Sequence, residues 1–471
     1  MDEQRLEREL RAGLVDLLDP LIGSHPMWVT SPAAERATAA PARSWRSLRT
    51  GLLWAALLSL LLVVLLASVL FIGGQPTDDA GPSAWTTVEF PEGGVVFDII
   101  ETPSGYLAVG WGPHTELGSD GVVWASADCL HWERLPTPVQ SAGGDRRGRP
   151  DALTDPGPTE IEHAGGVYLA AGGDIGPEAA MWVSPDGRDW ERVLPEIASG
   201  ERTGGLLEPM GDIATVDESF VAVGGWDDDF GRGKPSFWIS PDGRSWREVT
   251  RVDPPPSGLV GSGWGYFTIA TASALTETEA ALFAAGTSGP GETVWRSADG
   301  QRWAQVLGDE QATGAVLADI AAAPDGTLVA VGQRNTDGTP GDPVLWWSSD
   351  GSTWSLLSDM EPFAAHEGPA EYAGVTWLDP EVSLDVITWA GGRFFVLGSE
   401  GGPGAAIPVV WTSPDGQTWF RETPGPAFEE ASATGAITCG DQVLLYGGDL
   451  DTAVGWARPV DSFTAATARG E

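Results

Sequence analysis

The chain has 471 residues, of which 67 are Asp or Glu and 26 are Lys or Arg, which gives a formal net charge of −41 at pH 7. This charge excludes nucleic acid as a partner, because an acidic surface repels a phosphate backbone. The hydrophobic content of 42%, with 23 Trp, excludes a disordered chain, while the 63 Gly and 36 Pro favour many short strands joined by turns.

The first 50 residues contain one patterned segment, which we interpret as an amphipathic helix in a cytoplasmic segment (residues 1–50). Its apolar positions follow helical spacing between charged residues, and they are Leu6, Leu10, Leu14, Leu17 and Leu18. Two interpretations stay open: the helix lies on the membrane surface or pairs with itself, or it docks on a cytoplasmic partner.

Residues 51–73 form an uncharged apolar run that is long enough for one membrane-spanning helix. The alternative is a cleaved signal peptide, but the long preceding segment and the length of the run both exceed the usual dimensions. Three arginines directly precede the run, whereas the first charges after it are Asp78 and Asp79. The positive-inside rule then predicts a single-pass membrane protein with a cytoplasmic N-terminus, a linker at 74–84 and an extracytoplasmic remainder.

A repeated motif organises the part of the chain after the linker. Six copies of W-x-S-x-D-G-x-x-W, one of them with Cys in place of Gly, recur at intervals of about 50 to 65 residues. Asp-Gly between strands suits a tight turn with positive φ, and Asp and Ser oxygens accept hydrogen bonds from turn amides. We therefore predict structural hairpin turns at six aspartates, which are Asp128, Asp186, Asp242, Asp299, Asp350 and Asp415.

Two strand-like runs precede each motif, so that one unit has four strands, which we label a to d in chain order. Four antiparallel strands repeated around an axis predict the blade of a β-propeller. Residues 437–458 repeat strands a to c only, and residues 85–88 match the missing outer strand. The sequence thus predicts an all-β, seven-bladed propeller over residues 85–460, rather than a linear solenoid or a six-bladed ring, followed by a C-terminal tail at 461–471.

The six motifs resemble the Asp-box (BNR-type) repeats of sialidase-like propellers and of seven-bladed photosystem II assembly-factor-type proteins. The turn here has one residue fewer than the commoner family spacing, S-x-D-x-G-x-x-W. Sialidases are expected to use an arginine triad, a Tyr/Glu nucleophilic pair and an Asp acid, and this sequence lacks regularly placed strand arginines. We interpret Tyr106, Tyr168 and Tyr446 as blade-packing residues and predict no catalytic residues.

Two loops are candidates for a binding face. An acidic loop contains Trp226, Asp227, Asp228 and Asp229, and its oxygens suit Ca²⁺, although solvated charge is the alternative because the spaced calcium-loop pattern is missing. A basic cluster offers Arg146, Arg147 and Arg149 to an anionic ligand or to local acids. No cofactor or metal ligand is otherwise predicted, because the histidines lack the paired spacing of zinc sites.

Cys129 and Cys439 are the two cysteines of the chain, and both fall on the predicted oxidising side of the membrane. We predict a disulfide between them, with two buried free thiols as the alternative. Cys129 also occupies the position that is glycine in the other five motifs.

Two functions from different classes fit this sequence. The leading interpretation is a non-enzymatic, membrane-anchored recognition or scaffold module that binds an extracytoplasmic protein or glycan. The alternative is a sialidase-like glycoside hydrolase or lyase that acts on cell-surface glycans with acidic groups in the central pocket. Two carboxyls converging over a pocket, with an arginine cluster nearby, would favour the enzyme.

Overall fold

The computed structural model describes part of the chain, and all of the described residues belong to one compact unit, residues 79–471. The described ranges are 85–113, 121–136, 157–172, 180–193, 196–197, 212–227, 233–249, 252–253, 270–272, 275–276, 279–288, 291–308, 314–336, 339–365, 370–372, 375–377, 380–402, 405–422, 431–449 and 451–467.

The described residues are almost entirely β-strand. The strands in chain order are β1 (Thr86–Glu89), β2 (Val95–Thr102), β3 (Gly105–Trp111), β4 (Gly121–Ser126), β5 (Trp132–Arg134), β6 (Glu160–Ala164), β7 (Val167–Gly172), β8 (Ala180–Ser184), β9 (Glu191–Val193), β10 (Glu196–Ile197), β11 (Asp212–Val216), β12 (Ser219–Asp227), β13 (Gly233–Ser240), β14 (Ser245–Glu248), β15 (Val252–Asp253), β16 (Ala270–Ala272) and β17 (Leu275–Thr276). The remaining strands are β18 (Glu279–Ala280), β19 (Leu282–Ser288), β20 (Gly291–Ser297), β21 (Trp303–Leu307), β22 (Ala315–Ala322), β23 (Leu328–Thr336), β24 (Thr339–Ser348), β25 (Ser355–Leu356), β26 (Ala370–Tyr372), β27 (Val375–Trp377), β28 (Glu381–Ala390), β29 (Arg393–Gly402), β30 (Ala405–Ser413), β31 (Phe420–Glu422), β32 (Ser432–Cys439), β33 (Gln442–Gly448) and β34 (Ala453–Pro459). A 3-10 turn spans Glu361–Phe363, and helix α1 spans Val460–Thr467.

Sheets of four consecutive antiparallel strands recur along the chain, as in β2-β3-β4-β5, β6-β7-β8-β9 and β22-β23-β24-β25. The inner strands of successive sheets contact one another in a cyclic order: β2 contacts β6, then β11, β16, β22, β28 and β32 follow in turn, and β32 contacts β2. This arrangement is consistent with a β-propeller, in which sheets are placed around an axis.

The hydrophobic core lies between consecutive sheets. One cluster joins Leu107 on β3 to Tyr168 on β7 and Trp182 on β8. The next cluster joins Leu169, on the other face of β7, to Phe220 on β12. Because alternate residues of a strand face opposite sides of its sheet, each sheet contributes to two cores at once.

The last sheet is completed from the beginning of the described chain. Strand β1 pairs antiparallel with β34, with Thr87 opposite Trp456, as the matching of residues 85–88 to an outer strand predicts. Phe90, directly after β1, stacks on Trp132 of the first sheet, with ring centroids 4.7 Å apart. Strand β1 therefore closes the last sheet, and the residue that follows it packs on the first.

Some elements differ from the sequence analysis. Strands β10 and β15 add in parallel to the outer strands β14 and β21 of the following sheets, where only connections are expected. Most of the predicted tail belongs to helix α1, whose Phe463 is buried against Phe395. The predicted span at 51–73 and the amphipathic helix lie outside the described residues, and within those residues no helix is long and apolar enough to cross a membrane.

Candidate functional site

Acidic residues occur at one register position on several inner strands. Each of these acids lies opposite the residue that precedes the glycine of the neighbouring b strand. The four pairs are Asp98↔Val109, Glu160↔Ala171, Asp212↔Val223 and Asp319↔Val331. Glu162 follows two residues after Glu160 on β6. These five side chains, which we call the inner-strand acids, are partly accessible to solvent.

The b-strand glycine makes this position possible. The pairing of β2 with β3 shifts register between Val96 and Asp98. At the shift the backbone comes so close that a Cβ on Gly110 would lie 2.0 Å from the carbonyl oxygen of Val95. Beside Asp319, a Cβ on Gly332 would likewise lie 2.0 Å from the carbonyl oxygen of Val316. Glycine is therefore required where the inner strand bulges before its acid.

Two of the inner-strand acids bridge consecutive sheets. Asp98 Oδ1 accepts a hydrogen bond from the amide of Ile99 (2.7 Å), and its Oδ2 accepts one from the amide of Ile161 on β6 (2.9 Å). Asp319 repeats this arrangement with the amides of Ile320 (2.7 Å) and Ile387 (2.8 Å). These bonds fix the two carboxylates and join the inner strands of neighbouring sheets.

The inner-strand acids influence one another electrostatically. Burial, together with the charges of Asp212, Asp98 and Asp319, raises the pKa of Glu160 well above its usual range. Burial also raises the pKa of Asp98 to about 6, although hydrogen bonds from the amides of Ile161 and Ile99 and from the Tyr446 side chain lower it. Carboxyls from at least four strands therefore converge closely enough to repel one another.

The same pattern holds for Glu162, whose pKa burial raises well above its usual range, with the charges of Asp98 and Asp212 adding to the effect. The pKa values of the two glutamates are thus raised well above their usual range, and burial raises that of Asp319 in the same way, while that of Asp98 rises to about 6. A proton donor next to a carboxylate is the combination that general acid and base catalysis needs.

The aspartates predicted at the hairpin turns lie in a different environment. Asp186 Oδ1 accepts the amides of Arg188 (2.8 Å) and Asp189 (2.9 Å), while Ser184 Oγ accepts the amide of Gly187 (2.9 Å). The Trp190 indole donates to the carbonyl of Gly187 (3.1 Å). Equivalent Asp-to-amide bonds occur in the other turns, at Asp128, Asp242, Asp299, Asp350 and Asp415.

Cys129 and Cys439 form a disulfide, with Cα atoms 5.8 Å apart. Both are buried in the cluster between the first and last sheets. Cys129 has a φ of 66°, within the range of 66–73° that the glycines of the other five turns adopt. The bond therefore crosses the boundary that β1 also closes, from a turn where a non-glycine residue adopts left-handed backbone.

The residues predicted for a binding face are placed only in part. Arg146, Arg147, Arg149, Asp228 and Asp229 lie outside the described residues. Trp226 and Asp227 end β12, where they pair with Lys234 and Gly233. Within the described ranges, no group of three or more His, Cys, Asp or Glu side chains has the geometry to hold a metal ion.

The inner-strand acids are absent from the sequence predictions, and Tyr446 was interpreted only as a packing residue. A signal for the acids exists, since an Asp or Glu interrupts the apolar a-strand runs FDII, TEIEH, DIATV and DIAAA. Acids inside short apolar strands are costly to bury, so their recurrence at one register position indicates a shared role.

The comparisons with known proteins identify no family, because no family model and no curated protein matches the chain. Among solved structures, the chain is similar to an α-L-arabinanase of Penicillium chrysogenum complexed with arabinobiose, with 11% identity over 64% of this chain and 92% of that chain and a TM-score of 0.38. It is also similar to a Trypanosoma rangeli sialidase mutant with trans-sialidase activity (12% identity, 72% of this chain and 59% of that chain, TM-score 0.39). A third similar structure is a GH93 α-L-arabinofuranosidase of Fusarium graminearum in complex with arabinobiose, with 13% identity over 64% of this chain and 92% of that chain and a TM-score of 0.35.

These similar structures correct the leading functional prediction. All three are glycoside hydrolases, so the prediction of a non-enzymatic recognition or scaffold module is wrong, and the glycosidase alternative replaces it.

Proposed function

We propose that the protein is a glycoside hydrolase whose acid and base are inner-strand acids. The observation that carries the proposal is the convergence of carboxyls on neighbouring strands, with the pKa of Glu160 raised well above its usual range and that of Asp98 raised only to about 6. Glycoside hydrolysis needs one carboxyl that is protonated and a second that is ionised at the same pH.

Glu160 takes the role of general acid. Its proton passes to the glycosidic oxygen as the bond between that oxygen and the anomeric carbon breaks, and the leaving sugar departs as an alcohol. Asp98 is the partner carboxylate, because its Oδ2 already reaches the amide of Ile161, the residue after Glu160. Asp98 accepts the proton of the water that attacks the anomeric carbon.

The other inner-strand acids supply negative charge. The transition state of glycoside hydrolysis resembles an oxocarbenium ion, which carries positive charge on the sugar ring. The charges of Asp212, Asp98 and Asp319 raise the pKa of Glu160, and a cation formed beside these carboxyls is stabilised by whatever negative charge they carry.

We propose seven Asp-box blades, a single membrane anchor at 51–73 and an extracytoplasmic propeller that acts on cell-surface glycans. The cyclic contacts of the inner strands and the pairing of β1 with β34 support the blade number. The arginines before the apolar run support the orientation.

The test measures hydrolysis by the full chain of three classes of substrate, which are arabino-, galacto- and sialo-oligosaccharides. We expect one class to be cleaved and Glu160→Gln to lower the rate by about 10²–10⁴-fold, because an amide cannot donate the proton. Glu101→Gln is the matched control, since Glu101 is exposed at the other end of β2. Cleavage of none of the three, or an unchanged rate for Glu160→Gln, would refute the proposal.

A further inference from the structure

Tyr446 departs from the residues at the same position of the other sheets. It lies on β33 one residue before the b-strand glycine, where the equivalent residues are Val109, Ala171, Val223, Ala285, Val331 and Leu397. Its side chain is 6% exposed and packs in the cluster between the last and first sheets. A phenol therefore replaces an aliphatic side chain at this position.

The opposite residue makes room for the phenol. Gly435 on β32 pairs with Tyr446 and occupies the register position that holds Asp98, Glu160, Asp212 and Asp319 on other inner strands. A Cβ on Gly435 would lie 2.3 Å from the Tyr446 hydroxyl oxygen. The inner strand of the last sheet therefore has glycine in place of an acid at this register position, and the hydroxyl of Tyr446 on the next strand lies beside it.

Thr434 fixes this strand against the first sheet. Its hydroxyl lies 2.5 Å from the carbonyl oxygen of Val96 on β2 and 3.1 Å from the carbonyl oxygen of Tyr446. Val96 is two residues before Asp98. The backbone that carries the phenol is therefore tied to the backbone that carries the carboxylate, and the Tyr446 side chain acts on Asp98 by lowering its pKa.

The groups that face Asp98 from the other elements are acidic. The charge of Asp98 raises the pKa of Glu160 and Glu162 on β6, and the charges of Asp212 on β11 and Asp319 on β22 also raise that of Glu160. A neutral hydroxyl is the donor that can stabilise a carboxylate there without adding a titrating cation. We propose that Tyr446 is a positioning residue, which donates a hydrogen bond to the Asp98 carboxylate and so orients it beside Glu160.

This inference rests on the proposed function for its catalytic meaning, but its physical content can be measured separately. A donor to the ionised form lowers the pKa of a carboxyl, so removal of the hydroxyl must raise the pKa of Asp98. Tyr446→Phe removes the oxygen and keeps the ring. Tyr168→Phe is the matched control, because Tyr168 is a buried b-strand tyrosine that stacks on His163.

The experiment titrates the full chain labelled with ¹³Cγ-aspartate by NMR, with the Asp98 signal assigned by Asp98→Asn. We expect Tyr446→Phe to move the Asp98 midpoint upward by about half a pH unit or more, and Tyr168→Phe to leave it in place. Gly435→Ala, which displaces the hydroxyl but retains the tyrosine, should move it in the same direction. In the hydrolysis assay, the acidic limb of the pH–rate profile should shift upward equally for Tyr446→Phe, whereas a merely structural loss would lower the rate at every pH.

The two proposals fail separately. An unchanged Asp98 midpoint in folded Tyr446→Phe overturns the positioning role, even if the wild-type chain hydrolyses a glycan. A raised midpoint in a chain that hydrolyses none of the three sugar classes supports the hydrogen bond and overturns the enzyme.

Discussion

The turn aspartates and the inner-strand acids show how one side-chain chemistry serves two purposes. Asp186, at a hairpin turn, has its pKa lowered by the amides of Asp189 and Arg188. Glu160, on an inner strand, has its pKa raised by burial and by neighbouring carboxylates. The difference lies in what surrounds each carboxyl: amide donors and solvent stabilise the charged form, whereas low polarity and like charge favour the neutral form.

The two sets also differ in where their partners lie in the sequence. Each turn aspartate is bonded to amides two and three residues away. Asp98 and Asp319 accept amides from the next sheet. The turn aspartates therefore stabilise local structure, while Asp98 and Asp319 join neighbouring sheets.

The largest stability effect is expected at the turn that breaks the pattern of the other five, because Cys129 replaces glycine there and binds Cys439. Cys439→Ser should lower the free energy of unfolding by roughly 2–4 kcal/mol, since the disulfide constrains the unfolded chain over a separation of 310 residues. Denaturant unfolding of the full chain measures this loss. Adding Cys129→Gly should recover about 1 kcal/mol, because the left-handed φ suits glycine. No recovery would show that the backbone of this turn is not strained.

An intermediate effect, of opposite sign, is expected for Glu162→Gln. The folded state binds the proton of Glu162 more tightly than the unfolded state does, because the pKa is raised in the fold. The contribution of Glu162 to the free energy of unfolding is therefore fully present below its pKa in the unfolded chain, and it is lost as pH rises through its pKa in the folded protein. The amide should raise the free energy of unfolding by about 1–2 kcal/mol at pH 8 and leave it unchanged at pH 4. Thermal unfolding at both pH values measures this difference, and equal effects at both would contradict the raised pKa.

The smallest effect is expected for Asp242→Ala at a regular turn. It removes the acceptor for the amides of Arg244 (2.9 Å) and Ser245 (2.8 Å), which should cost about 1 kcal/mol at neutral pH. Because the net shift of the Asp242 pKa is downward, this contribution should be lost as pH falls below the usual range of a carboxyl. Calorimetry at pH 7 and pH 3 checks both statements. Loss of hydrolysis with unchanged stability would instead make Asp242 a substrate-binding residue.

How far the sequence predicts the molecule depends on how local each signal is. The turn at Asp186 is predicted by nine consecutive residues, and the pairing of β1 with β34 follows from one missing strand in a repeated unit. The inner-strand acids and Tyr446 have no such signal, because their meaning depends on residues from neighbouring sheets. The parallel additions of β10 and β15 likewise depend on the outer strand of the next sheet, which a pattern within one unit does not contain.

The pairing of β1 with β34 sets an order for biosynthesis. Strand β1 is translated before all of the other described strands, and its partner is the last strand before α1. During elongation the four residues of β1 therefore have no native partner, and the last sheet cannot be completed until nearly the whole described chain has left the ribosome. A short strand with three exposed residues in its native sheet offers little apolar edge to other nascent chains during this delay.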